Sequence, residues 1–290
     1  MNRDEILKRV FTIELSSKEL SKDLFSGQYK TAFKGRGMSF SEVRDYQYGD
    51  EVRTIDWNVT ARYGTPYVKV FEEERELNAM LLVDVSASTY YGIDGRSKIE
   101  KAVEFVATIA FSALENKDKV GAVFFSNTAE CYIPPKKGRD HVLAIIDQLI
   151  SHQPKSAGTS LGSALKAFRT GQKKRSIAFL VSDFRDPGMN LDEFTITKNH
   201  HDLIAVKIND PTEENPMIPS FYQMVNPETG ERKWVNGFSG FFKRTFKLDY
   251  QNHHNELKLA LKSRGIPLIE ISSDAEVIGP LRTFFKTKRR

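Results

Sequence analysis

Met80-Leu81-Leu82-Val83-Asp84-Val85-Ser86-Ala87-Ser88 is the stretch from which the fold can be read. Its first four residues are uniformly apolar, as in a strand buried on both faces of a parallel sheet. The run stops at Asp84, and two hydroxyls follow at alternate positions. At a strand end this spacing lets Asp84, Ser86 and Ser88 converge on one point. All three are hard oxygen donors, which magnesium accepts while retaining several waters. Two later segments offer more of the same chemistry. Gly158-Thr159-Ser160 opens a helix, and Val181-Ser182-Asp183 ends another apolar run. Ligands of open α/β sheets bind beyond the carboxyl ends of the strands, so three loops can bring Asp84, Thr159 and Asp183 to one rim. Helix capping by Ser86, Ser88 and Thr159, with Asp84 satisfying loop N–H groups, explains each residue singly. It does not explain their joint placement.

Outward from this stretch, apolar strands alternate with amphipathic helices. Strands are expected at 77–84, 120–125, 130–133, 176–182, 202–208 and 266–271. Helices are expected at about 97–116, 139–151, 160–170, 189–199 and 240–264, with a last one after Ser273. Asn226-Pro227-Glu228-Thr229-Gly230 is the turn of a hairpin over 220–236. This order implies an α/β fold: a doubly wound, mainly parallel sheet with helices on both faces. The first 76 residues break the alternation and read as an N-terminal α+β extension to a domain at 77–290. Spaced apolar residues predict one or two amphipathic helices over 3–24. Lys34-Gly35-Arg36-Gly37 is a basic loop, Tyr48-Gly49-Asp50 a turn, and Tyr67–Phe71 a strand.

The 290-residue chain carries a net charge of +5, with acids and bases interleaved except in the tail Lys286–Arg290. The tail reads as a solvated terminus, and no aromatic stacking module accompanies it, so nucleic-acid binding is not expected. No apolar run approaches the roughly 20 residues of a membrane helix, and the N-terminus lacks a signal-peptide core. A single cysteine, Cys131, precludes an internal disulfide and fits a reducing compartment. The expectation is therefore a cytoplasmic protein without membrane insertion, although peripheral association remains compatible.

Residues 77–208 resemble a von Willebrand factor A domain with a metal-ion-dependent adhesion site. Over roughly 28–285 the chain resembles the bacterial family called domain of unknown function fifty-eight, members of which are often associated with MoxR-type AAA+ ATPases. The more specific signature is N-terminal: Phe33–Phe40, Val43-Arg44-Asp45-Tyr46, Gly49-Asp50, Arg53-Thr54-Ile55-Asp56-Trp57 and Ala61-Arg62. Asp210-Pro211 and Pro227–Gly230 also resemble family elements. Many relatives carry membrane helices ahead of this region; the short lead-in here resembles the soluble subgroup. The resemblance implies a metal held directly by Ser86, Ser88 and, in one state, Thr159, with Asp84 and Asp183 acting largely through water. A carboxylate from a partner takes the remaining position. Ser160 departs from the Asp common at its position but is not an expected ligand. Magnesium or manganese suits the hydroxyl-rich set better than calcium.

The implied function is a metal-dependent protein–protein interaction module, an adaptor or substrate-recruiting partner of a MoxR-type ATPase that engages an Asp/Glu-presenting protein. Arg44, Arg53, Trp57 and Arg62 form a candidate docking surface, since Arg and Trp are favoured interface anchors. The alternative is an internal ion-pair lattice with Asp45, Asp50 and Asp56. Two other functions compete. A phosphohydrolase would use Asp84 as nucleophile, but Ser86 stands where such enzymes commonly place a second carboxylate and cannot act as acid/base at neutral pH. Nucleic-acid binding would use the basic segments. No catalytic constellation emerges, and the protein is not expected to be an enzyme.

Overall fold

The computed structural model describes residues 10, 12–14, 39–72, 77–90, 92–93, 96–214 and 220–287. The Lys34–Gly37 loop, most of the 3–24 helical stretch, residues 73–76 and the last three residues of the basic tail lie outside this set. The chain forms two compact units, one spanning Gly27–Glu76 and the other Met1–Ser26 together with Leu77–Arg290.

In the smaller unit, β1 (Ser39–Asp45) pairs antiparallel with β2 (Tyr67–Glu72), with Val43 opposite Lys69 and a bulge between Phe40 and Glu42. Between them runs α1 (Trp57–Tyr63). Asp56 caps it by accepting the N–H groups of Asn58 and Val59, and Gly64 ends it at φ 77°, where a side chain would be strained. The expected strand at 67–71 and turn at 48–50 are present. The sequence reading assigned neither β1 nor α1. The bulge breaks β1's alternation, and seven residues are too few for a helical period to stand out.

The larger unit is built on six strands: β3 (Asn78–Asp84), β4 (Lys119–Phe125), β5 (Ala129–Lys136), β6 (Ile177–Ser182), β7 (Asp202–Asn209) and β10 (Leu268–Ser272). Their order is β10-β7-β6-β3-β4-β5, and β5 alone is antiparallel. From β3 the chain winds outward through β4 and β5, then returns to the other side of β3 for β6. The switch point of the sheet thus lies between β3 and β6. Gly121 permits the tight β4–β5 pairing: a Cβ there would lie 2.7 Å from the Ile133 carbonyl oxygen and 2.7 Å from Met80 Sδ.

Helices cover both faces. On one, α2 (Lys98–Glu115) is buried almost all round from Ile99 to Ala113, and Phe105 packs edge-on against Phe179 of β6 at 5.8 Å. Beside it lies α3 (Arg139–Ser151), which buries Val142, Ile145, Ile146 and Leu149. On the other face, α4 (Leu161–Gly171) and α5 (Leu191–His200) add Leu165, Phe168 and Phe194 to a core that includes Leu82, Phe125 and Leu180. The hairpin of β8 (Phe221–Val225) and β9 (Arg232–Asn236) precedes the long α6 (Gly240–Ser263), which buries Leu257 and Leu261. After β10, α7 (Ile278–Thr287) completes the unit. The expected doubly wound α/β architecture is observed.

One core contact makes stability pH-dependent. The His201 ring packs on Phe168 with centroids 4.4 Å apart, and its Nδ1 has no hydrogen-bond partner among the described residues. Burial, followed by the charge of His200, depresses its pKa to about 4. Its folded pKa is below the unfolded value, so protonation favours unfolding. The stabilisation is complete above about pH 6.5 and is lost as pH falls toward 4. The full shift corresponds to ~3 kcal/mol, and solvent screening reduces the expected loss to about 2. Urea midpoints at pH 7.5 and 5 should diverge in the wild type and converge in His201→Phe. Equal pH sensitivity in both proteins would assign the acid lability elsewhere.

Candidate functional site

The carboxyl ends of β3 and β6 meet at the switch point. Three loops are knitted together there by backbone hydrogen bonds: Val85 N–H to Phe125 O at 2.8 Å, Ala87 N–H to Ala157 O at 3.1 Å, and Ser160 N–H to Ser126 O at 2.9 Å. Glu130 anchors the loop that carries Thr159. Its buried carboxylate accepts the Lys155 N–H on both oxygens and contacts His152 Nε2 at 2.8 Å. Ser160 caps α4 through Ser163 N–H, and Asp186 accepts the Leu161 N–H at 2.9 Å. Ser160 is thus occupied as a cap.

Asp84, Ser86, Ser88, Thr159 and Asp183 are all buried. Ser86 and Ser88 lie with their hydroxyls 3.1 Å apart. Both oxygens of Asp84 are engaged: Oδ1 accepts the Ser86 N–H at 2.9 Å and Oδ2 accepts the Ser182 hydroxyl at 2.6 Å. Asp183 is engaged likewise, by Lys98 Nζ at 2.5 Å and by the Arg185 N–H at 3.1 Å. The turn that holds Asp183 is strained. Phe184 sits at φ 59°, sparsely populated by bulky residues, with its N–H fixed to Ser182 Oγ. Thr159 Oγ1 donates to Glu228 Oε1 at 3.0 Å.

Negative charge accumulates here. Burial and the neighbouring Asp183 push the Asp84 carboxyl up to about 7. Burial also opposes ionisation of Asp183, but Lys98 outweighs it and holds that carboxyl below the usual range. Burial likewise raises Glu228, and Asp183 adds repulsion that the Thr159 bond only partly offsets. Lys98 is the ammonium in the cluster, and it is shared with Glu213 at 2.7 Å. No described Lys or Arg forms an ion pair with Asp84. Buried hydroxyls beside an under-neutralised carboxylate suit a hard divalent cation. Among the described residues there is no group of three His, Cys, Asp or Glu able to hold a metal on its own, so hydroxyls would have to supply part of any coordination shell.

Sequence reasoning missed Lys98 and Glu130, and the roles of Ser182 and Glu228. A lysine directly after the Ser97 cap reads as solvated, and only the fold shows its burial. Glu228 stood out only within the hairpin turn and the Pro227–Gly230 family element, with no role at the site. The four candidate docking residues lie in the smaller unit. Arg44 forms a bidentate pair with Asp50 at 2.8 and 2.7 Å, and Asp56 caps α1 and faces Lys69 at 3.5 Å. Trp57 is 66% exposed, and Arg53 and Arg62 are also exposed.

The uncharacterized protein Mb1516 of Mycobacterium bovis is 27% identical over 283 residues, covering 96% of this chain and 88% of that protein. A von Willebrand factor type A structure from Catenulispora acidiphila is similar at TM-score 0.37 and 16% identity, covering 49% of this chain and 35% of that one. Proximal thread matrix protein 1 from the mussel byssus, with a zinc-occupied MIDAS motif, is similar at TM-score 0.38 and 20% identity, covering 46% and 38%. An aerotolerance-related membrane protein from Bacteroides fragilis is similar at TM-score 0.47 and 13% identity, covering 73% and 97%. The cytoplasmic expectation thus finds no support among these similar structures, one of which is a membrane protein by name. No described helix is long and apolar enough to cross a membrane, which is a statement about those helices alone. The six-stranded, mainly parallel sheet with helices on both faces is a doubly wound α/β fold, and von Willebrand factor A domains are among the structures it is similar to. The family model described as "Protein of unknown function DUF58" matches residues 42–256, and the chain belongs to that family.

Proposed function

We propose that this protein is a metal-dependent protein–protein interaction module. The observation that supports this most directly is the gathering of Ser86, Ser88 and Thr159 hydroxyls with the Asp84 and Asp183 carboxylates at the switch point of the sheet. The hydroxyls would hold the ion. Asp84 and Asp183, whose oxygens are already hydrogen-bonded, would act on it through water. A bound magnesium or manganese ion supplies a positive pole that an acidic side chain of a partner can engage. Uncharged hydroxyl donors leave that pole strong, so the gain from an incoming carboxylate is large. The partner to test first is a MoxR-type AAA+ ATPase, with this chain as its adaptor. The exposed Trp57, Arg53 and Arg62 offer a second contact surface for it.

Isothermal titration with magnesium and with manganese, for the wild type and Asp84→Ala, tests the metal. Saturable binding should weaken at least tenfold in the variant, as expected when a partner that tunes a metal site is lost. Capture of the purified ATPase should fall in parallel. Identical titrations of the two proteins, or undiminished capture, would refute this function.

A further inference from the structure

The Asn226–Gly230 turn lies at the tip of the β8–β9 hairpin, and among residues 225–230 Glu228 alone is not exposed. Its carboxylate reaches the loop that opens α4, 69 residues away in sequence, and accepts the Thr159 hydroxyl at 3.0 Å. The Ser88 hydroxyl is near enough to favour its ionised form. One carboxylate from a distant segment thus bonds to one of the three hydroxyls that would hold the ion and lies near a second.

The turn is built to present this side chain. Asn226 Oδ1 accepts the N–H of Glu228 at 2.9 Å and of Thr229 at 3.3 Å. Gly230, at φ 71°, returns its N–H to the Asn226 carbonyl at 2.8 Å, and the Asn226 N–H closes on Glu231 O at 2.8 Å. Pro227 fixes the backbone between them. The strands place Tyr222, Met224 and Val235 on the inward face and Phe221, Val225 and Trp234 outward, which sets the register of the tip. Such pre-organisation lowers the entropy cost of seating one acidic side chain.

We propose that Glu228 is an internal ligand of the metal site: it occupies the position a partner's acidic side chain would take, so partner binding requires the hairpin tip to withdraw. This rests on the metal reading above and adds its regulation. The other two carboxylates cannot easily serve this role. Asp84 is tied to Ser86 N–H and Ser182, and Asp183 to Lys98 and Arg185 N–H. Glu228 comes from an exposed turn and is the acidic group that can leave without unpacking the core. A partner carboxylate and Glu228 would then compete for one pole, and affinity for the partner is reduced by the fraction of molecules in which the tip is seated.

Manganese serves as both ligand and reporter, because it enhances the relaxation of exchanging water protons. It is titrated into the wild-type chain, Glu228→Ala and Glu228→Gln, and water-proton relaxivity is read with and without added acetate. Removing an internal ligand opens a coordination position to water. Relaxivity of the bound ion should therefore rise in both variants, with roughly tenfold weaker manganese binding in Glu228→Ala. Acetate should lower the relaxivity of the variants and leave the wild type unchanged. Equal unfolding midpoints confirm that the turn substitutions leave the fold intact. Manganese binding with the same relaxivity in all three proteins overturns the internal ligand and leaves the metal site standing. No manganese binding to any of them overturns both.

Discussion

Replacing Lys98 with methionine is expected to cost about 3–5 kcal/mol of folding stability, the range for breaking a buried ion pair from one side. The ammonium is 2% exposed and sits between Asp183 at 2.5 Å and Glu213 at 2.7 Å. Burial works against its charge, but the two carboxylates prevail and hold its pKa above the usual lysine value. Methionine fills much the same volume, so the loss isolates charge from packing. It strands Asp183 in a site with little access to water, beside Asp84. Lysine also breaks a local rule here. It occupies the first turn of α2, where the helix dipole disfavours a cation, and its burial is explained by what it neutralises. A urea midpoint reports the loss, and Lys98→Met combined with Asp183→Asn should recover part of it. A loss under about 1 kcal/mol, the scale of an exposed pair, would show that water reaches the cluster.

The frame of this molecule was legible because its strands are buried on both faces. Runs such as Met80–Val83 and Ile177–Val181 leave no other reading once helices alternate with them, and the switch point follows from strand order. Asp84 and Asp183 were legible for the same reason, since each ends such a run. What escaped were groups whose meaning is made by tertiary contact. Lys98, Glu213 and Glu228 come from segments with no shared pattern, and each looks like a surface charge when read alone. β5 was foreseen at 130–133 but spans Ala129–Lys136. Two prolines, Pro134 and Pro135, argue against a strand until it is known to be the antiparallel edge, where a missing N–H is tolerated. In the smaller unit, the bulge in β1 and the brevity of α1 hid both elements from periodicity.

Asp84→Asn should stabilise the metal-free protein and remove most of its stabilisation by magnesium. Without metal, the Asp84 carboxyl titrates near 7 in the folded protein because of burial first and Asp183 second. Its unfolded value is about 3.9, so the native state favours the protonated form. Its contribution is intact below about pH 4 and is lost as pH rises toward 7, at a cost on the order of 4 kcal/mol. Asparagine carries no charge to bury and keeps an acceptor for the Ser86 N–H. The metal-free variant should therefore lead the wild type by about 1.5 kcal/mol at pH 5 and by more at pH 8. Magnesium narrows this lead. At a hundred times its dissociation constant a ligand stabilises the native state by about 2.7 kcal/mol, and this gain should be confined to the wild type. Unfolding midpoints at pH 5 and pH 8, with EDTA or with magnesium, read all four states. If the metal-free variant is the less stable protein at pH 8, the Ser86 N–H and the Ser182 hydroxyl already sustain the charge on Asp84. If magnesium stabilises both proteins equally, the ion binds elsewhere. The predicted pattern, with the variant ahead in EDTA and its lead cut by magnesium, requires a buried carboxylate that the fold retains at a cost in stability because the ion needs it.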